Sequence, residues 1–400
     1  MKLKVLFWLK EFPKFSETFI RDQIVGLINS GHEVHIYTLK KNGGQLDALK
    51  GLEDLHLFEK AQSPGTLLPA SKRARLKSIR SILKRTHNRQ HKKLLLRSLN
   101  ALKYGRSALN GSLFFLLDYM FTHDIQLIHA HYGPMGEQAA ILKQLGFQGK
   151  LYCTFHGFDL RGGLAKASGF DFSLLKRFAD GIFAISRYSE ATLLNLGFRQ
   201  EQLLYLPNGI ALKLRSKNHD SSDRLRLLSV GRLVPEKDYS TAFNALVLLD
   251  QQSDNLNWDY SVVGGGELEA DLKQLATQLG IRDKINFTGA LDSQAVQEQY
   301  DQADLFLISS VTEVLPTVLL EAVSAGLPCV ATAVGAVSEI LGEKAYLVPT
   351  KDPNKLAEVL IMAIKERGQW ATMIREQQQT LKDNYDMELI LARLIDYYSA

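Results

Sequence analysis

The sequence has few cysteines and few prolines, and each shortage excludes a class of protein. Its 400 residues include 2 cysteines and 10 prolines. Cys153 and Cys329 each lie in an apolar stretch that is typical of a buried strand. A disulfide framework and a cysteine-based zinc site are therefore not expected. We expect both cysteines to be reduced core residues in a reducing compartment.

Long hydrophobic runs are also absent. The apolar run at residues 3–9 is broken by Lys10 and Glu11, and no small-residue cleavage site follows, so it does not resemble a secretory signal. No other stretch approaches the ~20 apolar residues that span a bilayer. We expect a cytoplasmic protein that is either soluble or located at the cytoplasmic face of the inner membrane.

Acidic residues are missing from one long segment. Residues 61–117 contain 13 Lys and Arg and no Asp or Glu, although the whole chain has a net charge of only +5. A basic amphipathic helix is typical of membrane-surface elements, and we hypothesise that residues 71–106 contact an anionic membrane. A solvated helical insertion is the alternative. Nucleic-acid binding is not expected, because the segment lacks interleaved aromatics. Its apolar residues at helical spacing are Leu76, Ile79, Ile82 and Leu83.

The remaining composition, 46% hydrophobic and 23% charged, is that of a folded protein. A chain of this length exceeds one ordinary core and fits two domains. Apolar runs alternate with amphipathic helical patterns throughout, which predicts an α/β fold of parallel sheets covered on both faces. The predicted strands are residues 3–9, 33–39, 127–131, 151–156, 181–186 and 203–206, then 225–230, 258–263, 285–288, 304–309, 328–332 and 345–348.

A turn and a polar stretch divide the chain. The turn Pro207-Asn208-Gly209 precedes the polar residues 213–224. We predict a Rossmann-like amino-terminal domain at residues 1–212 and a second at residues 213–380. The last fifty residues have a helical pattern. The apolar spacing at the end of residues 381–400 needs a surface, and we predict that this helix packs on the first domain.

Ligands of open parallel sheets bind at the carboxyl ends of the strands. The strand at residues 225–230 is followed by Arg232 and Lys237, two cations five positions apart in a loop that opens a helix. Together with helix amides, such cations form a diphosphate site. Solvated surface charges are the alternative for each. The glycine-rich turn at residues 264–266 is equally consistent with a ligand loop and a tight packing turn.

Two glutamates follow the strand at residues 304–309. Pro316 suits the first helical position, which places Glu313 in the preceding loop and Glu321 on the second turn, ~7–8 Å along the helix axis. The two carboxylates suit sugar hydroxyls at one end of a ligand and ribose hydroxyls at the other, with the free amides of residues 314–318 facing phosphates. Alternatively, Glu313 meets the helix dipole and Glu321 is an ion-paired residue.

Polar residues also end three neighbouring strands of the first half. His129 and His131 end one strand, while His156 and Asp159 follow the next. We expect these strand ends, with that of residues 181–186, to converge on one cleft. No pair of these histidines has helical metal-binding spacing, so we predict no metal site.

Together these motifs resemble the retaining family 4 glycosyltransferases of GT-B fold. The matching motifs are Gly231-Arg232-Leu233 with Glu236-Lys237, the pair Glu313 and Glu321, His156-Gly157-Phe158-Asp159 and Pro207-Asn208-Gly209-Ile210. Residues 12–20 resemble the subset that assembles bacterial exopolysaccharides such as colanic acid or amylovoran. The resemblance implies two Rossmann-like domains around a cleft. It also implies hexose transfer from a nucleotide-diphosphate sugar to a saccharide or lipid-linked saccharide, without a cofactor or metal.

The resemblance also implies a role for each matched residue. Arg232 and Lys237 neutralise the donor diphosphate, Glu313 binds sugar hydroxyls and Glu321 binds the ribose. His156 approaches the reacting carbon, so the expected catalytic residues are His156, Arg232, Lys237 and Glu313. The other expected donor-binding residues are Gly266, Ala290, Leu291, Val314, Leu315, Pro316 and Thr317. The expected residues on the acceptor side are Ser16, Glu17, His131 and Asp159.

Two departures from the family pattern concern the hinge and the acceptor. Ala211 replaces an aspartate that often follows the Asn-Gly-Ile turn, and residues 13–16 replace a glycine pair in the first loop. The alternatives are a sugar-nucleotide epimerase or phosphorylase of the same architecture, and a non-catalytic sugar-nucleotide-binding scaffold. A Rossmann dehydrogenase is disfavoured because neither half has the glycine fingerprint after its first strand.

Overall fold

The computed structural model describes residues 2–160, 171–217, 224–253, 256–342 and 345–400. The chain folds into two compact units. Unit 1 comprises residues 1–185, 190–206 and 394–400, and unit 2 comprises residues 186–189 and 207–393. Residues 218–223, within the polar stretch predicted between the domains, lie outside the described residues.

Unit 1 is built on a six-stranded parallel sheet with the strand order β2-β1-β3-β4-β5-β6. The strands are β1 (Lys4–Phe12), β2 (Glu33–Lys41), β3 (Leu127–His131), β4 (Lys150–Phe155), β5 (Gly181–Ala184) and β6 (Leu203–Tyr205). The helices are Thr18–Asn29, Leu57–Lys60, Pro64–Leu67, Lys72–Arg85, Arg89–Arg97, Ala101–Leu109, Ser112–Thr122, Gly133–Leu145, Ser173–Phe178 and Arg187–Asn195, of which residues 187–189 fall in unit 2.

Unit 2 repeats this architecture with the strand order β12-β11-β10-β7-β8-β9, again parallel. The strands are β7 (Leu225–Val230), β8 (Trp258–Val263), β9 (Ile285–Gly289), β10 (Leu305–Ile308), β11 (Cys329–Thr332) and β12 (Tyr346–Val348). The helices are Tyr239–Gln252, Glu269–Gln278, Ser293–Gln302, Thr317–Ser324, Val337–Leu341, Pro353–Lys365, Arg367–Asn384 and Met387–Ser399, of which residues 394–399 fall in unit 1.

The strands form where the sequence is apolar on successive positions, because parallel strands covered by helices are buried on both faces. Every residue of β3 is buried, and so is every residue of β10 and β11. Cys153 in β4 and Cys329 in β11 are buried free thiols, as predicted. The predicted α/β fold with two doubly wound sheets is therefore confirmed.

Several predicted boundaries were wrong by one to three residues, and two of them have a clear structural reason. β1 runs to Phe12, three residues past its predicted end, because the ladder continues through the pairs Glu11↔Lys40 and Phe12↔Lys41. The helix after β10 begins at Thr317 rather than Pro316. Pro316 is its N-cap, with an extended ψ of 100° that is typical of a residue just before a helix.

The end of the chain contributes to unit 1. The Tyr398 hydroxyl lies 2.6 Å from Nδ1 of the buried His129, and the Tyr152 hydroxyl donates to the Tyr397 carbonyl at 2.6 Å. In the part of the chain that the structure describes, no helix combines the length and the apolar character needed to cross a membrane.

Candidate functional site

In unit 2, the loops after β7 and β10 lie side by side because these two strands are paired. The first loop contains a 3-10 turn, Pro235–Lys237. Two hydrogen bonds join the loops: the Val311 amide donates to the Glu236 carbonyl at 2.9 Å, and the Ser309 hydroxyl to the Lys237 carbonyl at 2.9 Å. The parallel pairing thus brings together the two segments that the sequence singled out.

Lys237 and Glu313 form an ion pair across these loops. The Lys237 Nζ lies 2.5 Å from Glu313 Oε1, and the two side chains are 22% and 12% exposed. The Ser310 hydroxyl donates to the same Oε1 at 2.7 Å. Among the described residues, Glu313 Oε2 accepts no hydrogen bond. One oxygen therefore fixes the carboxylate, and the other remains available to a hydroxyl group.

Gly335 allows the backbone at Glu313 to pass close by. Its φ is +54°, and a Cβ at this position would overlap the Glu313 carbonyl oxygen. A side chain at Gly335 would therefore displace Glu313. The sequence reasoning missed both Gly335 and Ser310. Ser310 had a local signal, since it lies three residues before Glu313 in the same loop, whereas Gly335 had none.

Arg232 is the second cation of this loop and is exposed. It has no ion pair or hydrogen bond to the described side chains, so its guanidinium can meet a phosphate group without first breaking an internal contact.

The loop that carries Arg232 rests on the glycine-rich turn after β8. The Leu233 amide donates to the Gly265 carbonyl at 3.0 Å. Side chains at Gly264 and Gly266 would overlap the carbonyls of Gly231 and Leu233. These two glycines thus have a packing role, and donor binding by Gly266 stays a prediction.

Several backbone amides lack acceptors where the helix Thr317–Ser324 begins. The amides of Val314, Leu315, Thr317 and Val318 have no acceptor among the described residues. Pro316, the N-cap, has no amide to satisfy. Free amides and the positive end of the helix dipole make this segment suitable for an anion.

Glu321 lies on the second turn of that helix, as predicted, and is bonded to a buried tyrosine. The Tyr300 hydroxyl is 2.9 Å from Glu321 Oε2 and 3.1 Å from the Val318 carbonyl. Burial, followed by the charge of Glu321, raises the pKa of Tyr300 well above its usual range, so the hydroxyl keeps its proton. Tyr300 therefore orients the carboxylate. The sequence reasoning missed this residue because it lies 21 positions away on another helix.

Ala290 and Leu291 directly follow β9 at the same edge of the sheet. The Gly264 amide donates to the Gly289 carbonyl at 2.9 Å, which joins this segment to the glycine-rich turn. The structure thus places all the predicted donor residues of unit 2 at the carboxyl ends of β7 to β10.

Unit 1 brings histidines together at the carboxyl ends of β3 and β4. His131 Nδ1 lies 2.9 Å from His156 Nε2, and the two rings are stacked. His129 Nε2 lies 2.7 Å from the Thr154 hydroxyl. His156 Nδ1 and His131 Nε2 are buried and have no partner among the described residues. An unpartnered buried nitrogen is uncommon and is suited to a ligand hydroxyl.

These histidines are uncharged at neutral pH. Burial lowers the pKa of His129 to about 3 and that of His156 to about 3. Burial, together with the neighbouring His129 and His156, lowers the pKa of His131 well below its usual range. His156 can therefore exchange hydrogen bonds with a ligand as a neutral imidazole.

Asp159 holds the His156 loop in place. One carboxylate oxygen accepts hydrogen bonds from the backbone amides of His156 at 3.0 Å and Gly157 at 2.9 Å. The other oxygen accepts one from the Gly133 amide at 2.8 Å. This arrangement makes Asp159 a positioning group for His156, and its assignment to the acceptor side stays a prediction.

Glu17, the other acidic residue expected on the acceptor side, is also engaged. It accepts hydrogen bonds from the Tyr132 hydroxyl at 2.9 Å and from Lys14 at 2.6 Å. Ser16 belongs to the 3-10 turn Phe15–Glu17, and its side chain lies outside the described part of the chain.

Comparison with known families covers nearly the whole chain. Residues 16–214 match the family described as Glycosyltransferase Family 4, and residues 212–381 match the family described as Glycosyl transferases group 1.

Comparison with curated proteins gives relatives of similar length. The chain is 30% identical to the putative colanic acid biosynthesis glycosyltransferase WcaL of Salmonella typhimurium, over 89% of each chain. It is 28% identical to the amylovoran biosynthesis glycosyltransferase AmsK of Erwinia amylovora, over 90% of each chain.

Solved structures share the fold. Anabaena HepE in complex with UDP superposes with a TM-score of 0.73 at 17% identity, over 99% of this chain and 100% of that one. Sucrose-phosphate synthase of Thermosynechococcus elongatus gives a TM-score of 0.69 at 17% identity, over 100% and 98% of the two chains.

Proposed function

Because this chain belongs to the family 4 glycosyltransferases of GT-B fold, we propose that it transfers a hexose from a nucleotide-diphosphate sugar to a saccharide or lipid-linked saccharide. We further propose that this step belongs to bacterial surface polysaccharide biosynthesis, as the names of its relatives indicate for those proteins. The observation that carries the proposal is the Lys237–Glu313 pair together with an exposed Arg232 and helix-start amides that have no acceptor among the described residues.

These groups match the charges of the reaction. Cleavage of the bond between the sugar and the diphosphate develops negative charge on the leaving phosphate. Arg232, Lys237 and the amides of Val314, Leu315, Thr317 and Val318 are donors already in place to stabilise that charge, which is an effective form of catalysis. Glu313 is negatively charged, and its Oε2 can accept a hydrogen bond from a hydroxyl group of the donor sugar.

The anomeric configuration is retained in the proposed mechanism. The acceptor oxygen forms a bond to the anomeric carbon on the face from which the diphosphate departs. The bond from that carbon to the phosphate oxygen breaks, and the acceptor proton passes to a phosphate oxygen. His156 stays neutral throughout and offers a hydrogen bond to a sugar hydroxyl. The step needs no metal, because Arg232 and Lys237 supply the positive charge.

A shift in unfolding temperature tests donor binding. A ligand that binds only the folded protein raises the unfolding midpoint. We expect UDP-, GDP- or ADP-sugars of one nucleotide class to raise it in the full chain. Glu321→Ala should abolish the rise, while the exposed Glu376→Ala should keep it as a matched control.

Turnover separates the enzyme from the alternatives. Transfer of labelled sugar to a saccharide or lipid-linked acceptor supports the proposal, and the configuration of the new linkage tests retention. Isomerised or free sugar without an acceptor would indicate an epimerase. A midpoint shift with no turnover on any acceptor would favour the non-catalytic scaffold.

We also propose that the basic segment contacts an anionic membrane. Its cations lie on the helices Lys72–Arg85, Arg89–Arg97 and Ala101–Leu109. The predicted apolar face was partly wrong, because Ile82 is buried at 6% exposure and packs inward. Four other side chains supply exposed apolar surface, with exposures of 52% to 102%: Leu76, Leu96, Leu102 and Leu109. Leucines among lysines and arginines suit a surface of anionic lipid.

Vesicle co-sedimentation tests this contact. We expect the protein to sediment with vesicles of phosphatidylglycerol and phosphatidylcholine but not with phosphatidylcholine alone. The double variant Leu102→Ser, Leu109→Ser should weaken sedimentation, whereas Leu46→Ser, an exposed leucine elsewhere in unit 1, should not. Equal sedimentation with both lipid mixtures would contradict the proposal.

A further inference from the structure

A second group of polar side chains lies on the edge strand of unit 1. Glu33 and His35 are alternate residues of β2 and therefore lie on one face of the sheet. His123 directly follows the helix Ser112–Thr122 and faces them, with its ring centroid 4.8 Å from that of His35. His35 Nε2 is 2.9 Å from Glu33 Oε1. One donor atom from each residue lies within 4.8 Å of the other two.

We propose that Glu33, His35 and His123 bind a divalent transition-metal ion of the zinc class. Two imidazole nitrogens and one carboxylate oxygen form a three-ligand set that zinc accepts, with water at the fourth position. Ligand atoms about 2.0–2.1 Å from a tetrahedral ion lie ~3.3 Å apart. His35 Nε2 and Glu33 Oε1 are 2.9 Å apart, and one ligand atom of each residue lies within 4.8 Å of the other two, so small side-chain rotations would bring the three atoms to this spacing.

Tyr119 fixes the imidazole that anchors the site. Its hydroxyl lies 2.7 Å from His35 Nδ1. When His35 Nε2 binds the ion, the ring proton resides on Nδ1 and is donated to the Tyr119 oxygen. A metal-bound histidine commonly makes such a bond through its other nitrogen, which sets the tautomer and the ring orientation. The tyrosine ring also contacts His123, with centroids 4.4 Å apart.

The neighbouring lysines do not block a metal ion from reaching Glu33. Lys2 Nζ is 3.8 Å from Glu33 Oε2, the oxygen that His35 does not use, and the Glu33 side chain is 36% exposed. Lys4 pairs with Asp124 at 3.6 Å. Lys2 is itself mostly exposed and can turn away, so the ion competes with a weak surface ion pair.

A bound ion would join the edge of the sheet to the end of a helix. β2 is the outermost strand of its sheet, with β1 on one side and a single bridge from Tyr37 to Gln62 on the other. A metal bridge from β2 to His123 would therefore add a second link at this edge, nearer the start of the strand. This site lies on other residues than His129, His131 and His156, the histidines for which the sequence predicted no metal.

Calorimetric titration of the full chain, free of any histidine tag, tests the proposal with Zn²⁺ and Ni²⁺. We expect one equivalent to bind, and His123→Ala to weaken affinity by at least ~10-fold, while the exposed His87→Ala leaves it unchanged. Zn²⁺ at a hundred-fold excess over Kd should raise the unfolding midpoint by roughly 5 °C.

A spectroscopic readout separates this site from adventitious surface binding. Co²⁺ bound by two imidazoles and a carboxylate should show the visible absorption of a low-coordinate ion, and His35→Gln should remove it. Tyr119→Phe should lower affinity by about 10-fold while preserving that absorption. Absence of saturable binding, or equal binding by wild type and His123→Ala, would overturn the proposal. Neither result depends on glycosyl transfer.

Discussion

The two units have the same architecture but different chemistry at the carboxyl ends of their strands. Unit 2 presents charges there: an exposed Arg232, the Lys237–Glu313 pair and the carboxylate of Glu321. Unit 1 presents neutral imidazoles there: the partly buried His156 and, beside it, the buried His129 and His131. The same fold thus provides one edge that suits a diphosphate and another that suits uncharged hydroxyls, because the side chains after each strand, not the strands, determine the ligand.

Removal of charge from unit 2 should have the largest effect. We expect Lys237→Met to reduce kcat/KM for sugar transfer by about 10²–10³-fold, since in the proposed mechanism it deletes a donor to the leaving phosphate. The variant also leaves Glu313 without its ion pair, so circular dichroism must first confirm that it is folded. Lys273→Met, which removes an ion pair on the helix Glu269–Gln278, serves as the control. Equal loss in both variants would contradict the role of Lys237.

Low pH should destabilise the folded protein through the neutral histidines of unit 1. The pKa of His156 falls from 6.5 to about 3 on folding, so the unfolded chain binds its proton first. Stability from this group is complete above pH 6.5 and is lost as the pH falls toward 3. One such histidine lowers the free energy of unfolding by about 2 kcal/mol near pH 5, relative to its value above pH 6.5.

Calorimetry between neutral and mildly acidic pH measures this loss. We expect the unfolding free energy of the wild type to fall with pH, and that of His156→Gln to fall less steeply. Parallel pH profiles would show that His156 does not stay neutral in the folded protein.

Glu321, the second predicted site carboxylate of unit 2, should matter less than the Lys237–Glu313 pair. Glu321→Gln keeps the shape of the side chain and removes its charge. If Glu321 holds ribose hydroxyls, the KM for the nucleotide sugar should rise by about 10-fold, with a smaller change in kcat. Glu376→Gln, on an exposed helix face, should leave both constants unchanged. A loss in kcat alone would assign Glu321 to the chemical step instead.

The difference between strands and site contacts also explains what the sequence could predict. All twelve strands were predicted because apolar runs report burial on both faces, a local property. Glu321 stood out because a carboxylate among apolar neighbours needs a partner. Tyr300 is that partner, but nothing in the sequence indicated it. Its ring fits the apolar pattern of its helix, and its hydroxyl reaches Glu321 only because the fold brings two distant helices together. The inward packing of Ile82 was equally invisible, since helical spacing does not say which neighbour covers a face.

Tyr300 gives the smallest predicted effect and the sharpest test of how unit 2 positions its charges. Tyr300→Phe deletes one hydroxyl and leaves the buried ring in place. The Glu321 carboxylate then loses a donor at 2.9 Å, and we expect the KM for the nucleotide sugar to rise by about 3–10-fold. A merely structural tyrosine would lower the unfolding midpoint and leave KM unchanged. The double variant Tyr300→Phe, Glu321→Gln should be no worse than Glu321→Gln alone, because Tyr300 acts through that carboxylate. Additive losses in the double variant would mean that the two residues contribute separately. The hydrogen bond by which Tyr300 orients the Glu321 carboxylate would then have no part in donor binding.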